Sequence, residues 1–131
     1  MPAINFKTQF APPILAGKKP FTLRALRPDG RDPKAGQMLY LFTAMRTKAC
    51  KKFAEKPCRL AETIKLTWRN ILIPTVGNLW QEHELQTFAQ LDGFNNYDEF
   101  CHFHKIHLMM ETKPMRLVAW VTRDELKALL K

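Results

Sequence analysis

Glycine is scarce, with 5 residues in 131, and no glycine-rich loop is followed by a long helical pattern. Dinucleotide-binding and P-loop architectures both need such a loop to bring backbone N–H groups to a phosphate, so both are excluded. Cysteine is limited to Cys50, Cys58 and Cys101, an odd number without a Cys-x-x-Cys pair. That argues against a disulfide framework and for reduced thiols in the cytoplasm. No segment approaches the ~20 consecutive apolar residues that span a bilayer. The opening MPAINFKTQF has no continuous apolar stretch of the secretory type, so a soluble, cytoplasmic protein is expected. Repeats and low-complexity tracts are also missing. Acidic residues are few: 12 Asp and Glu stand against 21 Lys and Arg, a formal net charge of +9. Such a balance favours anionic partners, nucleic acids or nucleotides first.

What the chain does have is apolar content, 46% of residues, enough for one domain over 1–131. Ile4, Phe6 and Phe10 suggest an extended entry. Pro12-Pro13 breaks it, and Ile14-Leu15-Ala16 reads as one helical turn closed by Gly17. Phe21–Leu26 alternates like a half-buried strand, and MLYLFT at 38–43 reads as a buried one. Between them, RPDGRDPKAG is turn chemistry. Arg59–Trp68 is a further strand, and 70–77 reads as irregular around Pro74 and Gly77. Asn78 with Gln81, Asn96 with Glu99, and Thr122 with Glu125 have the spacing of helix capping boxes. Leu85, Phe88 and Ala89 would bury one helix, and Phe100 and Phe103 the next. Leu126, Leu129 and Leu130 would bury a C-terminal helix at about 122–131. MRLVAWV at 115–121 is the last strand. The sum is an α+β fold, a small barrel of about five strands with two or three short helices.

Three stretches carry candidate chemistry. CHFHKIH gathers Cys101, His102, His104 and His107, but no partner pair stands at zinc spacing. Its histidines suit a helix end, against the negative pole of the dipole, and no metal site is expected. RTKACKKFAEK, 46–56, reads either as a solvated basic loop or as a phosphate-contacting edge. Arg46 leads that second reading, because its fork fits a phosphate better than lysine does. Among the aromatics Phe21, Tyr40, Trp68, Trp80 and Phe94, the last lies in a loop between two caps and is the best candidate to stack on a base.

The third stretch is GKKPFTLR, 17–24. A threonine hydroxyl becomes a nucleophile only when a base takes its proton. A lysine serves as that base only when burial or neighbouring cations pull its pKa down. Lys18 and Arg24 are such cations beside Lys19 and Thr22. One geometric objection stands: residues three apart in a regular strand point to opposite faces, so the chain must bend near Pro20.

ILAGKKPFTLR, residues 14–24, resembles the opening motif of ASCH domains, a branch of the PUA-like superfamily. The likeness continues in order through Asp32-Pro33 and Gly36, LYLFTAMRTKACKKF (39–53), FAQLDGFNNYDEF (88–100) and LVAW (117–120), covering most of 4–121. The resemblance implies a PUA-like β-barrel with helices at its rim, and nucleoside or RNA as partner. It also implies an activity without metal or cofactor, the hydrolysis of N4-acetylcytidine to cytidine and acetate. By motif, the working lysine and threonine fall on Lys19 and Thr22, and the working glutamate falls on Asp92. Arg24 and Arg46 match basic positions, and Lys18, Lys48 and Phe94 join them as binding candidates. Aspartate in place of glutamate is one methylene short, about 1 Å. A misplacement of that size costs on the order of 100-fold in rate. The alternative is an RNA-binding module or ribonuclease using the same basic cleft.

Overall fold

The computed structural model describes residues 3–106 and 112–130. Among the described residues, eight strands form two sheets. The smaller sheet joins β1 (Ala3–Phe6), β3 (Met38–Thr43) and β4 (Lys51–Pro57) in the order β1-β3-β4. Its first pair is parallel and its second antiparallel. The larger sheet is antiparallel, in the order β2-β8-β5-β6-β7. It contains β2 (Phe21–Arg24), β5 (Leu60–Leu66), β6 (Ile71–Ile73), β7 (Gly77–Leu79) and β8 (Lys113–Ala119). Four α-helices complete it: α1 (Ala11–Leu15), α2 (Glu82–Leu91), α3 (Tyr97–Phe103) and α4 (Arg123–Leu129).

The mixed α+β class is what the sequence predicts, but the expected small barrel is not closed. Among the described residues no hydrogen-bonded pairing joins the two sheets, and each stays open. Instead they pack face to face around β8. Leu117 and Ala119 face one core, with Phe21, Ile64, Phe88, Phe100 and Leu126. Val118 faces the other, with Ile4, Phe6, Phe10, Ile14, Leu41 and Trp120. A strand buried on both faces needs apolar residues on both, which is why LVAW reads as a continuous run.

Several elements differ from expectation. The 70–77 stretch is a hairpin: Ile71 and Ile73 are buried while Leu72 is exposed, and Val76 N–H closes the turn on the Ile73 carbonyl at 3.0 Å. Asn78 pairs with Leu72 in that hairpin, so α2 starts three residues later. There the Gln81 N–H donates to Glu84 Oε1 at 3.2 Å. The two later caps form as predicted. Asn96 Oδ1 accepts from Glu99 N–H at 2.8 Å, and Thr122 Oγ1 accepts from Glu125 N–H at 3.2 Å. The run 46–56 is not one loop, because Lys51 onward is strand β4. Lysines along an edge strand resist pairing with another chain. On α4, Leu126 and Leu130 are buried but Leu129 is exposed. On α3, Phe100 is buried and Phe103 is not.

Candidate active site

Lys19 reaches its position through an unusual stretch of backbone. Its N–H donates to the Pro13 carbonyl at 3.1 Å, and its own carbonyl accepts from Trp120 Nε1 at 3.1 Å. Trp120 N–H takes the Pro20 carbonyl, also at 3.1 Å. These bonds hold Lys19 outside the ladder, which begins only at Phe21. The strand parity that separates residues three apart therefore does not apply, and Lys19 and Thr22 line the same cavity.

Asp92 comes from 73 positions further along the chain, as the C-cap of α2. Gly93 follows with φ +102°, a backbone that favours glycine, and turns the chain toward α3. Lys19 Nζ donates to Asp92 Oδ1 at 2.5 Å and to the Asp92 carbonyl at 2.6 Å. The shorter aspartate side chain thus reaches the lysine. His104, the C-cap of α3, lies with Nε2 at 3.0 Å from Asp92 Oδ2. Facing an ionised carboxylate, which only accepts, that nitrogen carries the hydrogen. Lys19, Thr22, Asp92 and His104 are all buried, at 2%, 4%, 2% and 7% exposure.

The cavity above them holds about 240 Å³. Asp92 is the one carboxylate that lines it among the described residues. Burial holds the Lys19 ammonium below its ordinary pKa; Asp92 pulls it back up and Arg24 pushes it further down. Burial also lowers the Arg24 guanidinium, to about 10. The Thr22 hydroxyl makes no side-chain hydrogen bond among the described residues. Phe10, Phe94 and Phe103 supply aromatic lining, with the Phe94 and Phe103 centroids 5.0 Å apart. Lys19 Nζ sits 5.0 Å from the centre of the Phe10 ring, a cation–π distance.

Comparison with protein-family models, curated proteins and solved structures gives no match.

Five of the eight catalytic and binding candidates therefore line one cavity: Lys19, Thr22, Arg24, Asp92 and Phe94; His104 lines it too. Lys18, Arg46 and Lys48 are exposed and do not line it. Arg46 sits in the turn after β3 with φ +65°. Trp80 is exposed, Phe21 is core, and neither reaches the cavity.

Sequence reasoning missed His104 as a partner of Asp92. The helix-end position it assigned is correct, but the contact spans the whole of α3, and no local spacing announces it. The other members of CHFHKIH do not join His104. Cys101 is buried in the core with its thiol pushed up to about 11, His102 is exposed, and His107 lies outside the described residues. No three metal-ligating side chains converge among the described residues. No described helix is long and apolar enough to cross a membrane.

Proposed function

We propose that this chain is an ASCH-type, PUA-like domain with the activity of an amidohydrolase, cleaving an acylated cytosine nucleoside such as N4-acetylcytidine. One observation carries the reading: a buried lysine and an unengaged threonine hydroxyl line a single cavity with a buried carboxylate 73 positions away from the lysine. Neutral Lys19 takes the Thr22 proton as Thr22 Oγ1 attacks the amide carbonyl. The carbon–nitrogen bond then breaks, and the proton held by Lys19 passes to the departing amine. Water hydrolyses the acyl-threonine ester, which releases acetate and restores Thr22.

Asp92 orients Lys19 with Oδ1 and is itself held by His104 at Oδ2. A carboxylate has about four lone-pair sites, so two remain to accept from the substrate N4–H. His104 is a positioning residue in this scheme, because it acts through Asp92. The aromatic lining suits a flat base.

The test is acetate release from N4-acetylcytidine by wild type and by Thr22→Ala. Turnover by wild type and none by the variant is expected. Equal turnover by the two proteins overturns the threonine mechanism.

A specific feature favours RNA binding as a second reading. The turn 44–50 and edge strand β4 expose Arg46, Lys48, Lys51 and Lys52 close together in sequence. Contact with a polyanion predicts oligonucleotide affinity that falls steeply with salt. Affinity that stays flat across a salt titration counts against it.

A further inference from the structure

Arg24 has a cation's requirements and no partner that meets them. It follows Thr22 by two residues on β2, so both side chains leave the same face of the strand. Its guanidinium carbon stands 4.6 Å from the centre of the Phe6 ring. Its Nε is buried without a hydrogen bond, and no hydrogen bond or ion pair reaches the guanidinium from any described residue. Its partner across the strands is Arg116, a second cation whose Nε is likewise buried and unbonded. Like charges directly opposite on neighbouring strands repel. The cavity lining adds Lys7 and Lys19, and its one carboxylate, Asp92, is already bonded through both oxygens.

Burial lowers the pKa of this half-buried cation; the Asp92 charge offsets that only in part, and its two oxygens are taken by Lys19 and His104. A neutral ligand would cover the guanidinium further and add no partner. An oxyanion would supply one, and the planar fork matches phosphate through two parallel bonds. Depth within the site agrees. Lys19, Thr22 and Asp92 are fully buried, whereas Arg24, Phe94 and Phe103 are part-exposed and lie nearer the mouth. The fully buried groups therefore suit the reacting acyl amide, and the part-exposed ones, aromatic and cationic together, suit a base and an anion beside it.

We infer that the cavity binds a cytosine nucleotide more tightly than the free nucleoside, with its phosphate on Arg24. This rests on the amidohydrolase reading for the identity of the base, but it concerns binding and needs no acyl group. The experiment is calorimetric titration of wild type with cytidine, cytidine 5′-monophosphate, cytidine 3′-monophosphate and inorganic phosphate, at low and high salt. One of the two monophosphates is expected to bind at least about tenfold tighter than either cytidine or phosphate, the gain of a charge-assisted bond pair. The advantage should shrink as salt rises. Arg24→Gln should erase it, and Arg24→Lys, which keeps charge but loses the fork, should retain part of it. Cytidine binding as tightly as both monophosphates overturns the inference. Inorganic phosphate matching them overturns the assignment to a nucleotide. The wild-type titrations decide both points even where Arg24→Gln does not fold. Nucleotide binding without acetate release from any acylated cytosine sinks the amidohydrolase reading and leaves this one standing.

Discussion

Lys19 Nζ and Asp92 Oδ1 meet at 2.5 Å across 73 positions of sequence, and both side chains are shut away from solvent. Removing either charge leaves the other buried alone. Asp92→Ala is therefore expected to destabilise the fold by about 3–5 kcal/mol, the range for a broken buried pair. Replacing both residues, as in Lys19→Met with Asp92→Ala, should cost less than Asp92→Ala by itself. Urea unfolding midpoints of wild type, the two single variants and the double variant check this; a double variant as unstable as the sum of its single changes would falsify the coupling.

His104 predicts a graded series. His104→Leu leaves Asp92 Oδ2 buried without its donor, expected to cost about 1–3 kcal/mol. His104→Gln keeps an N–H donor at similar reach and should recover much of that loss. If the positioning role holds, acetate release should follow the same order, wild type above Gln above Leu. Equal rates in all three would leave His104 a purely structural cap.

Gly93 tests how tightly the Asp92 turn is packed. A Cβ built there meets two carbons of the Phe10 ring at 2.9 Å, on a backbone at φ +102°. Gly93→Ala combines a steric clash with strain and should lose about 1–3 kcal/mol. Thermal unfolding measures it. Phe10 packs against Phe94 and Phe103 in the same lining, so ligand affinity should fall with the stability.

Alkaline pH offers a separate check on Lys19. Its folded pKa lies below the ordinary value of 10.5, so between those two pH values the unfolded chain binds more protons than the folded one. Stability from this group therefore rises as pH increases through that window. Cys101 acts oppositely: its thiol is raised to about 11, so its contribution falls as pH passes the ordinary thiol value of 9.0. The difference between wild type and Lys19→Met cancels the cysteine effect. That difference should move in favour of wild type as pH rises toward 10.5; a flat or reversed difference contradicts a depressed Lys19. The same depression predicts turnover that increases with pH as neutral Lys19 accumulates.

Local chemistry made much of this protein legible in its sequence. The caps at Asn96 and Thr122 follow from side chains that satisfy nearby backbone N–H groups. The apolar run at 115–121 identified the last strand. Where two local signals competed, the sequence misled. Asn78 has the cap spacing, yet the burial of Ile71, Ile73 and Leu79 draws it into a hairpin. The basic run after Arg46 hides a strand, because an edge strand needs only modest apolar content.

By itself, then, the sequence determined the α+β class, two of the three helix N-caps and a basic chain containing a lysine and a threonine three apart. Only the tertiary structure decided that the sheets stay open, that Lys19 leaves the ladder to share a cavity with Thr22, and that Asp92 is held by His104. The reason is physical. Caps and periodicity arise from contacts within a few residues. The site arises from Trp120 and Pro13 gripping the backbone of Lys19, and from two helix C-caps meeting over a strand, contacts that no spacing along the chain records.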